Sequence, residues 1–131
     1  MAQIKSYTDI SQSKKLAKIL PLESADMFHF IHGNINSVTT GIGYGKASAE
    51  FYSQTKHEYI PCWSLAALLC VIPKHIKDYN VLRIDMNEDT FAIWYDEIGF
   101  GVNAELPNIT NESAIDACVE MIIKLNELKM L

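Results

Sequence analysis

The chain has 131 residues, 49% hydrophobic and 21% charged, and a net charge of −5. That length and composition suit one domain with a real core and exclude a disordered segment. No basic stripe runs through it, so nucleic-acid binding is not expected.

The charge is uneven. Residues 1–77 carry eight Lys against five acids, and residues 78–131 carry three Lys or Arg against eleven acids. The halves are therefore +3 and −8. An acidic half of this size reads as solubility rather than as a mimic of DNA. The opening residues Met1-Ala2-Gln3-Ile4-Lys5-Ser6-Tyr7-Thr8 hold no apolar run, so neither a signal peptide nor a membrane anchor is expected. The three cysteines, Cys62, Cys70 and Cys118, form neither an even framework nor a Cys-x-x-Cys pair. Free thiols in a reducing cytoplasm are the expectation.

In chain order, Asp9-Ile10-Ser11-Gln12 is an N-cap with its capping-box partner three residues on. Leu16, Ile19 and Leu20 form the apolar edge of that helix, Lys14, Lys15 and Lys18 its wet side, and Pro21 its stop. Met27–Ile31 is a short aromatic run that predicts a strand, closed by Gly33. From Gly33 to His57 the pattern dissolves into Gly, Ser, Thr and Asn, which predicts a long loop or an irregular hairpin and a variable surface.

Ile60–Pro73 is the most apolar stretch. Pro61 or Ser64 can start a helix, and Leu65, Leu68, Leu69 and Ile72 share one face. Ala66, Ala67, Cys70 and Val71 make the other sides apolar too, which predicts a central helix buried all round. It is too short to span a bilayer.

Asn80–Glu105 is the clearest β signal. Leu82, Ile84 and Met86 alternate with polar residues, then Phe91, Ile93 and Tyr95, then Phe100, Val102 and Ala104, with turns at Asn87-Glu88-Asp89 and Gly99. This period of two predicts an antiparallel meander with one buried face. Asn111 or Ser113 caps a last helix, with Asp116 placed to complete a box from Ser113. Its apolar stripe is Ile115, Cys118, Val119, Ile122 and Leu125, and Glu120 and Lys124 are spaced for an ion pair. The expected fold class is α+β: one domain over residues 1–131, a small antiparallel sheet packed against about three helices.

Four constellations invite chemistry. Cys62-Trp63-Ser64 resembles the nucleophile segment of papain-like cysteine peptidases, and a helix N-terminus would favour a thiolate. No histidine follows His75, however, so the downstream base of that family is missing. Asp85-Met86-Asn87-Glu88-Asp89 matches the start of a calcium loop, but strand-like flanks and Thr90 in place of the sixth-position glycine favour an acidic hairpin turn. Gly41-Ile42-Gly43-Tyr44-Gly45-Lys46 lacks the spacing of a phosphate loop, because Thr40 stands where Gly is needed. His29-x-x-His32 on a strand points to opposite faces and gives no metal pair. Neither a metal nor a cofactor is expected.

The segments Gln12–Pro21 with Ser24–Met27, Pro61–Leu69 and Asp116–Ile122 together resemble a group of short uncharacterised proteins of gut anaerobic bacteria and their phages or mobile elements. That group has no assigned activity. The resemblance implies a cytoplasmic accessory protein and allows a mobile-element origin; it carries no catalytic residues across.

The leading reading is therefore a non-enzymatic protein-binding module, with a protein partner or a second copy as ligand. The alternative is a small hydrolase built on Cys62. The meander places Trp94 on the polar face with Arg83, Asp85, Thr90, Ala92 and Asp96. Trp94, Arg83 and Tyr44 are the candidate contact residues, since tryptophan and arginine are common interface anchors. The alternative is that Gly33–His57 folds back over Trp94 and makes it part of a second small core.

Overall fold

A computed structural model describes residues 5–32, 35–40 and 58–131. The fold is α+β, with two antiparallel sheets and three α-helices among the described residues. The chain divides into two compact units within one helix. One unit covers Tyr7–Ala67, and the other covers Leu68–Leu131 together with the residues up to Ser6.

The first unit begins with helix α1 (Ile10–Ala17). Asp9 caps it through Gln12 N–H at 2.7 Å, and the Gln12 side chain returns to the Asp9 amide at 3.1 Å, which completes the expected capping box. Leu16 and Leu20 are buried, and Lys14, Lys15 and Lys18 face water. A short 3-10 turn over Leu22–Ser24 leads into a three-stranded sheet of order β2-β1-β3, built from β1 (Met27–His32), β2 (Ile35–Thr40) and β3 (Glu58–Cys62). The hairpin alternative for the Gly-rich stretch holds for residues 35–40, because β2 pairs antiparallel with β1 from His32↔Ile35 to Met27↔Thr40. Residues 41–57, with the Gly41–Lys46 turn and Tyr44, lie outside the described residues.

The stretch expected as one buried helix divides in two. Glu58–Cys62 is strand, paired to β1 with Phe28↔Pro61 and Met27↔Cys62. Pro61 fits there because β3 ends the sheet order, where a missing N–H costs no ladder bond. Helix α2 covers only Leu65–Val71. Ser64 starts it, its hydroxyl accepting from Ala67 N–H at 3.2 Å, while the Asp26 carboxylate accepts from Ser64 N–H at 2.9 Å. Nor is α2 buried all round. Ala67, Leu68 and Ile72 are covered, whereas Ala66 and Cys70 are exposed. Small and sulfur-bearing residues are apolar in composition yet tolerate a wet face, so apolarity alone overstated the burial.

The second unit carries β4 (His75–Ile76), β5 (Asn80–Met86), β6 (Phe91–Glu97), β7 (Gly101–Val102), β8 (Ile109–Asn111) and helix α3 (Ala114–Glu127). The predicted meander is present: β5 and β6 pair with Leu82↔Tyr95, Ile84↔Ile93 and Met86↔Phe91. Asn87 turns the chain as expected, its side chain accepting from the Thr90 N–H and hydroxyl. Gly99 and Gly101 take positive φ of 87° and 81° in the next turn, where residues with a Cβ would be strained.

Two expectations for this sheet are corrected. The third strand shrinks to Gly101–Val102, and Phe100 lies in the turn, 82% exposed. The apolar face is buried only on one side: Phe91, Ile93 and Tyr95 are covered, but Ile84 is 42% and Met86 68% exposed. Helix α3 explains this. It packs on β6 and on β8, which pairs with β6 through Ile93↔Ile109, and so covers the half of the sheet away from β5. The α3 stripe of Ile115, Cys118, Val119, Ile122 and Leu125 is buried throughout, and Lys124 meets Glu120 at 3.2 Å. Ser113 caps the helix through Asp116 N–H at 3.2 Å, and the Asp116 carboxylate accepts from Lys5 Nζ at 2.8 Å.

Candidate functional site

Cys62 sits at the end of β3, two residues before the Ser64 cap, rather than in the first turn of α2. Its side chain is fully buried against Thr8. Thr8 is the hub of this site. Its N–H donates to the Trp63 carbonyl at 3.0 Å, and its hydroxyl accepts from Trp63 N–H at 3.1 Å and meets the Ser13 hydroxyl at 2.8 Å. Its carbonyl accepts from His29 Nε2 at 2.7 Å, from Cys62 Sγ at 3.4 Å and from the Ser13 hydroxyl at 3.4 Å.

Burial pushes the Cys62 thiol above its ordinary value, and the hydrogen bond from Thr8 only partly offsets it. A nucleophilic cysteine needs the opposite, a lowered pKa and access. His29 turns its Nε2 to the Thr8 carbonyl, and its Nδ1 is buried with no hydrogen-bond partner among the described residues. These groups hold the chain segment around Thr8 to β1 and β3. They are not arranged as nucleophile and base.

Arg83 and Trp94 are directly opposite each other on β5 and β6. Asp96 joins them: Trp94 Nε1 donates to one carboxylate oxygen at 2.8 Å and Arg83 Nε to the other at 3.2 Å. Trp94 is half-buried, and Arg83 is exposed. Cross-strand pairing places Val102 beside Asp96 on the same face, and Val102 is exposed. Two residues before it stands Phe100, with Ile98 also exposed and its N–H bonded to the Tyr79 carbonyl at 2.8 Å. Large apolar side chains thus border the Arg83–Asp96–Trp94 cluster at one end of the sheet.

The two described candidates, Arg83 and Trp94, are brought together; Tyr44 falls among the residues not described. Two features escaped the sequence reading. The bridging role of Asp96 was available, since it shares the face with both partners. The exposure of Phe100 and Ile98 was hidden, because alternation alone assigns Phe100 to a strand. Among the described residues no helix is long and apolar enough to cross a membrane, and no cluster of three His, Cys, Asp or Glu is placed to hold a metal ion. Comparison of the chain with known protein families, with curated proteins and with solved structures yields no match in any of the three.

Proposed function

We propose that the protein is a non-enzymatic accessory module that binds a protein partner through the polar face of the five-stranded sheet and its β6–β7 turn. The observation that supports this most is Phe100, 82% exposed on a turn shaped by two positive-φ glycines and bordered by exposed Ile98 and Val102. Grouped apolar side chains rimmed by polar residues mark interaction sites on soluble proteins. Trp94 and Arg83, braced by Asp96, supply the aromatic and arginine anchors that such interfaces favour. The three free cysteines suit a reducing cytoplasm. Cys62, buried with a raised thiol pKa, lends the hydrolase alternative no support.

Affinity capture from the native host tests the reading, with wild type, Trp94→Ala and Phe100→Ser compared side by side. A partner retained by wild type and lost from both folded variants is the expected result. Equal capture by all three would remove this face as the binding surface.

A further inference from the structure

The outer edge of β5 is only partly used. β4 covers it at Asn80 and Val81, and Leu82 N–H donates to the Lys74 carbonyl at 2.9 Å. Beyond Leu82 this edge has no partner strand among the described residues. Backbone polar groups alternate sides along a strand. Since Leu82 turns its amide to the β4 side, Ile84 and Met86 turn theirs to the open edge, while Arg83 and Asp85 pair with β6. An open edge of this kind is a template for another strand.

The side chains along it are self-complementary. Ile84 and Met86 stand exposed on one face. On the other, Arg83 and Asp85 flank Ile84 with opposite charge; Arg83 holds Asp96 through Nε alone among the described residues, and Asp85 has no hydrogen bond or ion pair from its side chain among them. Edges guarded against pairing carry charges that repel on approach. These attract.

We propose that a second copy of this chain pairs with this edge, β5 against β5 antiparallel, about a two-fold axis at Ile84. Ile84 then exchanges both backbone bonds with its counterpart, as its outward amide and carbonyl allow. Arg83 faces Asp85 of the second copy, and Asp85 faces its Arg83, in the closer non-hydrogen-bonded pairs where cross-strand charges interact best. Centring the axis on Arg83 or Asp85 instead would set like charges opposite each other. Lys74 lies beside Leu82, so the ladder ends there. Met86 of the second copy then turns onto an open pocket of about 350 Å³ lined by Leu69, Lys74, His75, Val81, Leu82 and Ile84. Strand addition of this type takes affinity from the backbone and specificity from the side chains.

Sedimentation velocity on the full chain tests this with three variants. Wild type is expected to dimerise reversibly. Ile84→Pro removes the outward N–H without taking a bond from the β5–β6 ladder and should leave a folded monomer by circular dichroism. Asp85→Arg and Arg83→Asp should each weaken association about tenfold or more, because like charges then oppose across the axis. Mixed together, those two should associate again, since both cross-strand pairs become complementary. If Ile84→Pro fails to fold, Asp85→Arg at its exposed position decides. A wild type that stays monomeric at its highest soluble concentration overturns the proposal. So does a dimer unaffected by Asp85→Arg or by a folded Ile84→Pro. Trp94→Ala and Phe100→Ser should leave the dimer unchanged, which separates this edge from the partner face.

Discussion

The two tryptophans mark opposite ways of using a polar group. Trp63 is 0% exposed, its ring nitrogen donates to the Ser24 hydroxyl at 2.9 Å, and its backbone is held by Thr8 on both sides. Around it threonine, serine, cysteine and histidine spend their hydrogen bonds on one another. Trp94 also donates its ring N–H, to Asp96, yet its ring stays half-exposed beside a charged cluster and an apolar turn. The first region spends most of its polar groups inside, with His29 Nδ1 the buried side-chain atom left unpaired among the described residues. The second leaves surface over. The cluster rich in Cys, His, Ser and Thr ties chain segments together through Thr8, and a plain sheet face is the candidate for recognition.

The sharpest way to break that contrast is to truncate each tryptophan. Trp63→Ala should cost about 3–5 kcal/mol, the usual loss for a large buried aromatic. Denaturant melts measure it, and a loss below that of Trp94→Ala would reverse the assignment. Thr8→Val comes next. It keeps the shape but removes the hydroxyl that receives Trp63 N–H, leaving a buried donor unpaired at about 1–3 kcal/mol. A neutral Thr8→Val would show that the knot around Cys62 is not holding the fold.

Local signals were legible in the sequence where one residue decides one bond. Asp9 and Gln12 read as a capping box and form one; of Asn111 and Ser113, the two caps the sequence offers, Ser113 is the one; the alternation over Leu82–Tyr95 reads as an antiparallel hairpin and forms one. What failed was burial, which depends on neighbours far away in sequence. Nothing in Ile84 or Met86 tells that α3 lies over β6 and β8 and stops short of β5. Nothing in Ile60-Pro61-Cys62 tells that a strand at Met27 stands ready to pair with it. Arg83 and Trp94 were placed on one face because alternation alone fixes that; that they stand directly opposite each other is set by the register. Thr8 was missed because a lone threonine before a helix has no pattern to betray it.

The thiols sharpen the contrast chemically. Cys70 is exposed, whereas Cys62 and Cys118 are buried. Burial raises the Cys118 thiol from 9.0 to about 12 and pushes Cys62 up as well. A thiol with a raised folded-state pKa adds stability that is complete below its unfolded value and fades as pH rises through the folded one. Stability should thus decline from about pH 9 toward pH 12. Replacing Cys118 with Ala should flatten that slope, at a general cost in packing. Iodoacetamide at neutral pH should modify Cys70 quickly and the other two only on unfolding. Rapid labelling of Cys62 in the native protein would overturn the inert reading of that site and reopen thiol chemistry.

Trp94→Ala should cost about 2 kcal/mol, less than its buried counterpart, because only part of its ring area leaves water on folding. The smallest stability effect belongs to Phe100→Ser. Phe100 is nearly free of the fold, and surface changes away from special features usually stay within about 0.5 kcal/mol. The same substitution should abolish most partner capture if the β6–β7 turn anchors an interface, since an anchoring aromatic carries a large share of the binding energy. The pair of readouts matters more than either alone. A melt shifted by several kcal/mol would mean that Phe100 packs in solution and that the turn is part of the core. An unchanged melt with unchanged capture would make the exposed turn a bystander and move the binding face onto Trp94 and Arg83 alone. An unchanged melt with lost capture separates recognition from stability at a single side chain, as the contrast between the two tryptophans requires.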